Sequence, residues 1–463
     1  MKCNAFKNLG FAVTLFLLPG SLSLADETGE TLTLSLGEAM MRVEEDNFSL
    51  LINREGIEQA LAGVGRERSF LLPQVDLEAR QARSRFVTRG GGGTLGGDPL
   101  AAPSSGGVEQ DTFDAGLQAN WTLLDPVLLA RLRASEVAVD VAGQEFEELR
   151  QTVLTRVAEA YLDFLLEQRR LQVFRANVER SEAYLELARS RVEAEVAAQI
   201  DLTRAEVQLA QDQQGLIEQE NTVFVREAAL KRLLAIPQEI SLEVEPFRTH
   251  LQMPPEMGEE WAEEGLSERA EYRTAERRRD QNELEVRAAR WERFPSFNLF
   301  GDYRWVTETA FDGNEENEWT IGVGASLPIF EGFRIRSNVL LANSRLRASE
   351  TALRDVRAEI EQEYQVILRD LKARLAQIEV AEKTFQLSQE ELELAEVRFE
   401  EGVADNRDLV DAQNSLAQAE DNREVAYSRY DRSRLEWARI RGDVYLLLAD
   451  QAMVLEEEGE DGR

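Results

Sequence analysis

Arg191–Leu209, reading RVEAEVAAQIDLTRAEVQL, returns 207 residues later as Arg398–Leu416, reading RFEEGVADNRDLVDAQNSL. At that offset Arg191/Arg398, Glu193/Glu400, Val196/Val403, Asp201/Asp408, Leu202/Leu409, Ala205/Ala412 and Leu209/Leu416 are identical pairs. Ahead of the first copy, Leu171, Phe174, Val178, Ser181, Leu185, Ala188 and Val192 are spaced alternately three and four residues apart. Ile378, Ala381, Phe385, Ser388, Leu392, Ala395 and Phe399 repeat that seam at the same offset, serine included. Such spacing marks a helix packed lengthwise on a partner helix. Beyond the first copy the seam resumes at Leu202, Ala205 and Leu209. The repeated stretch is therefore the tip of a helical hairpin, and the hairpin is built twice.

The arms are long. From Pro126 to Val196 there is no further proline and a single glycine, Gly143. At about 1.5 Å per residue this stretch spans roughly 105 Å. Asp125-Pro126 opens it, since aspartate caps helices and proline is favoured at the first helical position. Ile236-Pro237 stops the return arm. The second hairpin opens at Leu327-Pro328-Ile329-Phe330-Glu331-Gly332 and returns through about Val444.

Upstream of each hairpin the period changes to two. Pro73 ends a helix running from Ser35 to about Ser69, and Pro295 ends another that begins near Ser267. Val75, Leu77 and Ala79 then alternate with Asp76, Glu78 and Arg80. Phe113, Ala115, Leu117, Ala119, Trp121 and Leu123 form a second such series, Phe297, Leu299, Gly301, Tyr303 and Trp305 a third, and Trp319, Ile321, Val323, Ala325 and Leu327 a fourth. Each half thus carries two strands with one apolar and one largely polar face, Asp302 and Arg304 lying on the polar one. Pro73 and Pro295 are 222 residues apart, Gly116 and Gly322 only 206. The first inter-strand loop, holding the Gly/Pro/Ser stretch Arg89–Gly107, is the longer one, and the arms are nearly equal, as if they span a set distance. The chain divides into a signal peptide (1–25), a first repeat (26–236), an acidic connector (237–266), a second repeat (267–446) and an acidic tail (447–463), of which Leu455–Arg463 is expected to be disordered.

Lys2 and Lys7, the apolar run Leu9–Leu18 and Ser23-Leu24-Ala25 make the signal peptide, too short to span a membrane. Cys3, the one cysteine, lies before the apolar run and is lost on cleavage, so packing or oligomerisation must hold the exported chain. A net charge of −34 argues against nucleic acid and against anionic head groups. His250 is the only histidine and sits, exposed, in the connector; with no cysteine beside it there is no zinc or copper site of the usual ligands. No nucleophile–base set is visible. The GGGG at 90–93 leads into a Pro/Ser loop rather than a helix, so it is no phosphate cradle. Neither an enzyme nor a cofactor is expected.

Strands of about ten residues with aromatic ends suit a membrane β-barrel. Four strands cannot close around a lumen, and open edges are not tolerated in lipid, so the chain must oligomerise. Three copies would give twelve strands and a twelve-helix tube, although periodicity does not fix the number three. An exported coiled-coil scaffold without a barrel would account for the heptads but not for four strands at matched places.

In order and spacing, Phe70-Leu71-Leu72-Pro73, Arg293-Phe294-Pro295, Leu327–Gly332, Leu123-Leu124-Asp125 and the tip RFEEGVADNRDLVDAQ resemble the TolC-type outer-membrane efflux protein family, from about Leu32 to about Val444. The resemblance implies a mixed α/β membrane protein: a homotrimer whose twelve-stranded β-barrel, four strands per chain, sits in outer-membrane lipid and continues as a long α-helical coiled-coil barrel across the periplasm. It implies a periplasmic adaptor (membrane fusion) protein and an inner-membrane transporter as partners. The chain would be a passive exit duct for efflux or type I secretion, and nothing in it chooses among drugs, metals and polypeptides.

In that family two aspartates, six and nine residues after the second tip's glycine, line the periplasmic constriction. Counted from Gly402 these are Asp408 and Asp411; the first tip offers Asp201 and Arg204. Asp201 and Asp408 each precede a return helix, and helix capping explains them equally well. Asp411 has Arg204 as its image, so the repeat's symmetry does not explain it. Arg204 could pair with an acid of the second half. The family's basic gate residue, two positions after the glycine, is replaced here by Ala404, so any latch differs. Arg191, Val196, Arg398, Gly402 and Val403 are where an adaptor hairpin would meet the tips; seam packing of the valines and solvation of the arginines are the plainer roles.

Overall fold

The computed structural model describes residues 31–87, 107–195, 197–254, 261–307, 316–401, 403 and 406–448. The expected signal peptide, almost all of the Arg89–Gly107 loop and the acidic tail from residue 449 lie outside them. In order the elements are β1 (Thr31–Leu34), α1 (Leu36–Asp46), α2 (Phe48–Ser69), β2 (Gln74–Val87), β3 (Gly107–Leu124), α3 (Pro126–Glu193), α4 (Gln199–Leu233), β4 (Ser241–Val244), α5 (Trp261–Glu268), α6 (Ala270–Trp291), β5 (Ser296–Thr307), β6 (Glu316–Ser326), α7 (Arg334–Glu400) and α8 (Asn406–Ile440).

The two long arms are α3, 68 residues, and α7, 67 residues. Each is about 100 Å long at ~1.5 Å per residue. Asp125 opens α3 as its sequence suggests, its Oδ1 accepting from the Val127 N–H at 2.8 Å. The return helices α4 and α8 are half as long, 35 residues each. Beyond them α2 and α6 take over along the long arms.

The joints between these shorter helices repeat as well. One continuous helix was expected from Ser35 to Ser69; Asn47 breaks it. The Asn47 Oδ1 accepts from the Ser49 N–H at 2.9 Å, capping α2, while its Nδ2 donates to the carbonyl of Leu233, the last residue of α4, at 3.0 Å. In the second half Arg269, the buried N-cap of α6, donates from Nη1 to the carbonyl of Ile440, the last residue of α8, at 3.3 Å. Asn47 and Arg269 are 222 residues apart, as are Pro73 and Pro295. At both joints the N-cap residue of the next helix donates from its side chain to the last carbonyl of the helix before, a group that helix ends leave orphaned.

The main core lies around these joints. Val157, Tyr161, Phe164 and Leu165 of α3 meet Met40 and Val43 of α1, Leu230 and Leu234 at the end of α4, and Phe247. The connector is not featureless: its β4 pairs in parallel with β1, Leu32 opposite Leu242. The Tyr161 hydroxyl donates to the Glu245 carbonyl at 2.8 Å and lies 3.1 Å from that of Leu34, tying α3 to this ribbon. His250 is half-buried rather than exposed, and its carbonyl is 3.0 Å from the Tyr430 hydroxyl.

The four remaining strands form one antiparallel sheet in the order β2-β3-β5-β6. Its register aligns the apolar positions in rows. Leu77, Leu117, Tyr303 and Trp319 lie in line across all four strands, with Val75, Ala119, Gly301 and Ile321 in the next row on that face. The opposite face carries Asp76, Gln118, Asp302 and Thr320, then Glu78, Gly116, Arg304 and Glu318. Phe300 is an apolar exception there. Its ring covers Gly322, where an added Cβ would stand 2.6 Å from Cζ. Large apolar side chains on the other face are bare: Leu77 is 72 % exposed, Trp319 70 % and Ile321 74 %.

Candidate functional site at the hairpin tips

The two tips lie side by side and share a small core. Tyr184 and Ala188 of α3 and Ala205 of α4 pack with Leu392, Ala395 and Phe399 of α7 and with Leu409, Ala412 and Leu416 of α8. The seam residues near the tips thus join hairpin to hairpin as well as arm to arm. Polar ties reinforce the junction. Arg191 Nη1 donates to the Phe399 carbonyl at 2.7 Å, and its Cζ lies 4.4 Å from the centre of the same residue's ring. Gln208 Nε2 donates to Asn414 Oδ1 at 3.3 Å. Farther from the tips, Arg180–Glu420 at 2.7 Å and Arg170–Asp421 at 2.5 Å continue the line, with Arg432 paired to Asp163.

At the first tip α4 begins after Ala198, which has extended backbone. Asp201 is the third helical residue, not the N-cap, and its carboxylate accepts from the Ala198 N–H at 3.3 Å. It is the reaching-back half of a capping box and serves the orphaned donor from inside the helix. Arg204, one turn on, lies 3.6 Å from Asp201, so within the chain this ion pair stays in its own hairpin. Asp408 holds the same third position in α8. Asp411 is one turn farther along, 3.5 Å from Arg407; both side chains are mostly in water, and such pairs contribute little.

Asp408, Asp411 and Arg398 line an open groove of about 580 Å³ on the α7–α8 hairpin, together with Leu387 and Leu394. The structure therefore brings three expected residues together here, while Asp201, Arg204 and Arg191 belong to the other hairpin. Val403 is 69 % exposed, with its N–H bonded to the Arg398 carbonyl at 2.9 Å. Val196 and Gly402 lie outside the described residues.

One pairing and one residue escaped the sequence. Phe399 was visible as a seam position and Arg191 as a repeated arginine, but nothing marked them as a pair. Tyr184 adjoins the seam residue Leu185 and was not singled out. It is buried, and burial, with the nearby Asp201 carboxylate, pushes its phenol up to about 12. Its hydroxyl has no hydrogen-bond partner among the described residues, and it borders a cleft of about 270 Å³ between the hairpins with Arg180, Phe399 and Gln413.

A small sheet, apolar on one face and polar on the other, continued by two helical hairpins of about 100 Å, defines a class: channel proteins that carry a helical tube on a membrane-embedded sheet. The sequence profile of the outer membrane efflux proteins matches residues 41–235 and 261–442, and the chain belongs to that family. It is 22 % identical over 402 residues to the outer membrane protein TolC of Vibrio cholerae, an alignment covering 86 % of this chain and 87 % of that one. It is 24 % identical over 341 residues to the alkaline protease secretion protein AprF of Pseudomonas aeruginosa, covering 72 % and 69 %. The solved structure of the Campylobacter jejuni CmeC outer membrane channel superposes with a TM-score of 0.75 at 19 % identity, over 95 % of this chain and 94 % of that one, a likeness of fold. The chain is thus an outer-membrane channel protein, of a family whose work is transport and not catalysis.

Proposed function

We propose that three copies of this chain form an exit duct across the outer membrane, a twelve-stranded barrel continued by a twelve-helix periplasmic tube. The observation that carries this is the sheet: four strands, a bare apolar face, and no partner on the outer edge of β2 or of β6 among the described residues. Lipid accepts the apolar face but not the open edges. An exported scaffold without a barrel would leave Leu77, Trp319 and Ile321 in water. The tube delivers substrates handed over by an inner-membrane transporter through a periplasmic adaptor, which docks at the tips near Arg398, Gly402, Val403 and Val196. Arg191, committed to Phe399, shapes that surface from behind.

At the narrow end of the tube the exposed Asp408 and Asp411 of three copies converge as six carboxylates. A ring of acid favours cations and repels anions. Replacing both with alanine in the full-length protein is expected to move the reversal potential in a salt gradient across a planar bilayer towards zero. Unchanged selectivity would remove these residues from the constriction.

A further inference from the structure

The cleft between the two hairpins has the make-up of a binding site. Two buried polar atoms that find no hydrogen-bond partner among the described residues, the Tyr184 hydroxyl and Gln413 Oε1, belong to residues lining this one cleft. They come from different hairpins, Tyr184 from α3 and Gln413 from α8. Packing needs neither polar group: phenylalanine and leucine would fill the same places without keeping an oxygen from water. Nor does Tyr184 stand loose. It is 3 % exposed, its ring lies edge-on to that of Phe399 with centroids 6.3 Å apart, and both belong to the core that the hairpins share.

We propose that this cleft binds a small organic cation, an aromatic amine of one or two rings, held between α3 and α8. The walls specify that chemistry part by part. Ala183, Leu187, Leu409 and the Phe399 ring line a slot of about 270 Å³, close to the lower end of small-molecule sites at roughly 300 Å³. Such a slot takes a ring or two and no more. Gln413 Oε1 can only accept, so the guest must bring an N–H or O–H donor. Burial and the nearby Asp201 carboxylate keep the Tyr184 hydroxyl protonated, and its oxygen has lone pairs for a second donor.

Charge sets the sign of the guest. Arg180, the basic residue of the lining, is engaged by Glu420 at 2.7 Å, whereas Glu396 of α7 presents an exposed carboxylate at the rim. An ammonium carries three N–H donors, enough for Gln413 Oε1, the Tyr184 oxygen and Glu396. The Arg191 guanidinium, 4.4 Å from the centre of the Phe399 ring, keeps a second cation away from that ring, so the guest's ring rather than its charge lies there. A guest gripped by Tyr184 and Gln413 together ties one hairpin to the other and slows their separation. The site lies within a single chain and does not depend on the duct described above.

Isothermal titration calorimetry of the full-length protein in detergent, with tryptamine as the probe, tests the site. One tryptamine per chain is expected, with neutral indole bound several-fold more weakly or not at all. Tyr184→Phe and Gln413→Leu should each weaken tryptamine by about tenfold or more, the scale of one hydrogen bond to a charged group. Tyr184→Phe removes a single oxygen and should leave the melting temperature of the unliganded protein unchanged or raised, so it decides the matter even where Gln413→Leu fails to fold. Weaker binding without a lower melting temperature separates a group that holds a ligand from one that holds the fold. Tryptamine should also slow amide exchange at both tips together. No binding, equal binding by the native protein and Tyr184→Phe, or indole bound as tightly as tryptamine overturns the proposal.

Discussion

Tyr161 and Tyr184 lie on the same helix, and their buried hydroxyls are served in opposite ways. Tyr161 reaches the Glu245 carbonyl at 2.8 Å inside a core drawn from α1, α3, α4 and the connector. Tyr184 finds no hydrogen-bond partner among the described residues and borders a cleft between the hairpins. The middle of the long helix is a satisfied, many-sided core; the tip is a narrow contact between two hairpins, tied by a few side chains such as Arg191. A buried hydroxyl without a partner costs about 1–3 kcal/mol. The contrast fits a frame that holds its shape at the centre and has less to break at the tips.

The strongest challenge to this contrast is a cavity in the frame. Phe164 is almost wholly buried, and Phe164→Ala should lower stability by about 3–5 kcal/mol in denaturant melts followed by circular dichroism. A loss under ~1 kcal/mol would mean that the centre is no better packed than the tip. Arg191→Ala should cost about 1.5–3 kcal/mol, the range for a hydrogen bond from a charged donor. Its effect should appear as faster amide exchange confined to the two tips; exchange rising equally at the centre would place the tie elsewhere.

A pH series probes the frame from a third direction. Asp431 is buried and accepts from the Thr249 N–H at 3.0 Å and from its hydroxyl at 2.7 Å. Burial nevertheless outweighs those donors and the nearby Arg169 and Arg248, pushing the carboxyl up from 3.8 to about 6. A folded-state value above the unfolded one means that folding favours the protonated form. This contribution is complete below the unfolded value and is lost as the pH rises through about 6. Asp431→Asn should therefore gain on the native protein, by on the order of 1–3 kcal/mol, between pH ~4 and pH ~8. A constant difference across that range would show the carboxyl to be solvated. The smallest expected effect is the most direct comparison. Tyr161→Phe should destabilise by about 1 kcal/mol, while Tyr184→Phe should be neutral or stabilising by a similar amount. Equal losses for the two would mean that Tyr184 has found a partner, such as a neighbouring copy.

Much of this was legible in the chain because periodicity is local. Alternation from Val75 and from Trp319 announced strands, and Asp125-Pro126 announced a helix start that the structure bears out. The break at Asn47 was not legible, because its cause lies 186 residues away at Leu233. The β1–β4 pair was missed for a related reason. Strands of four residues carry too little alternation to show themselves, and their pairing is a long-range event. At the tips, third-position aspartates were legible as helix-start residues, but which of Ala198 and Asp201 held the cap depended on backbone geometry at the turn.

The sequence by itself determined that the chain is a duplicated hairpin with two-faced strands, since spacings of three to four and of two are written in neighbouring residues. Tertiary structure alone decided that Arg191 closes on Phe399, that Arg204 stays with Asp201, and that Asn47 and Arg269 splice helices end to end. Each of those contacts depends on where two backbones come to rest, and helical spacing constrains a face without choosing the neighbour that covers it.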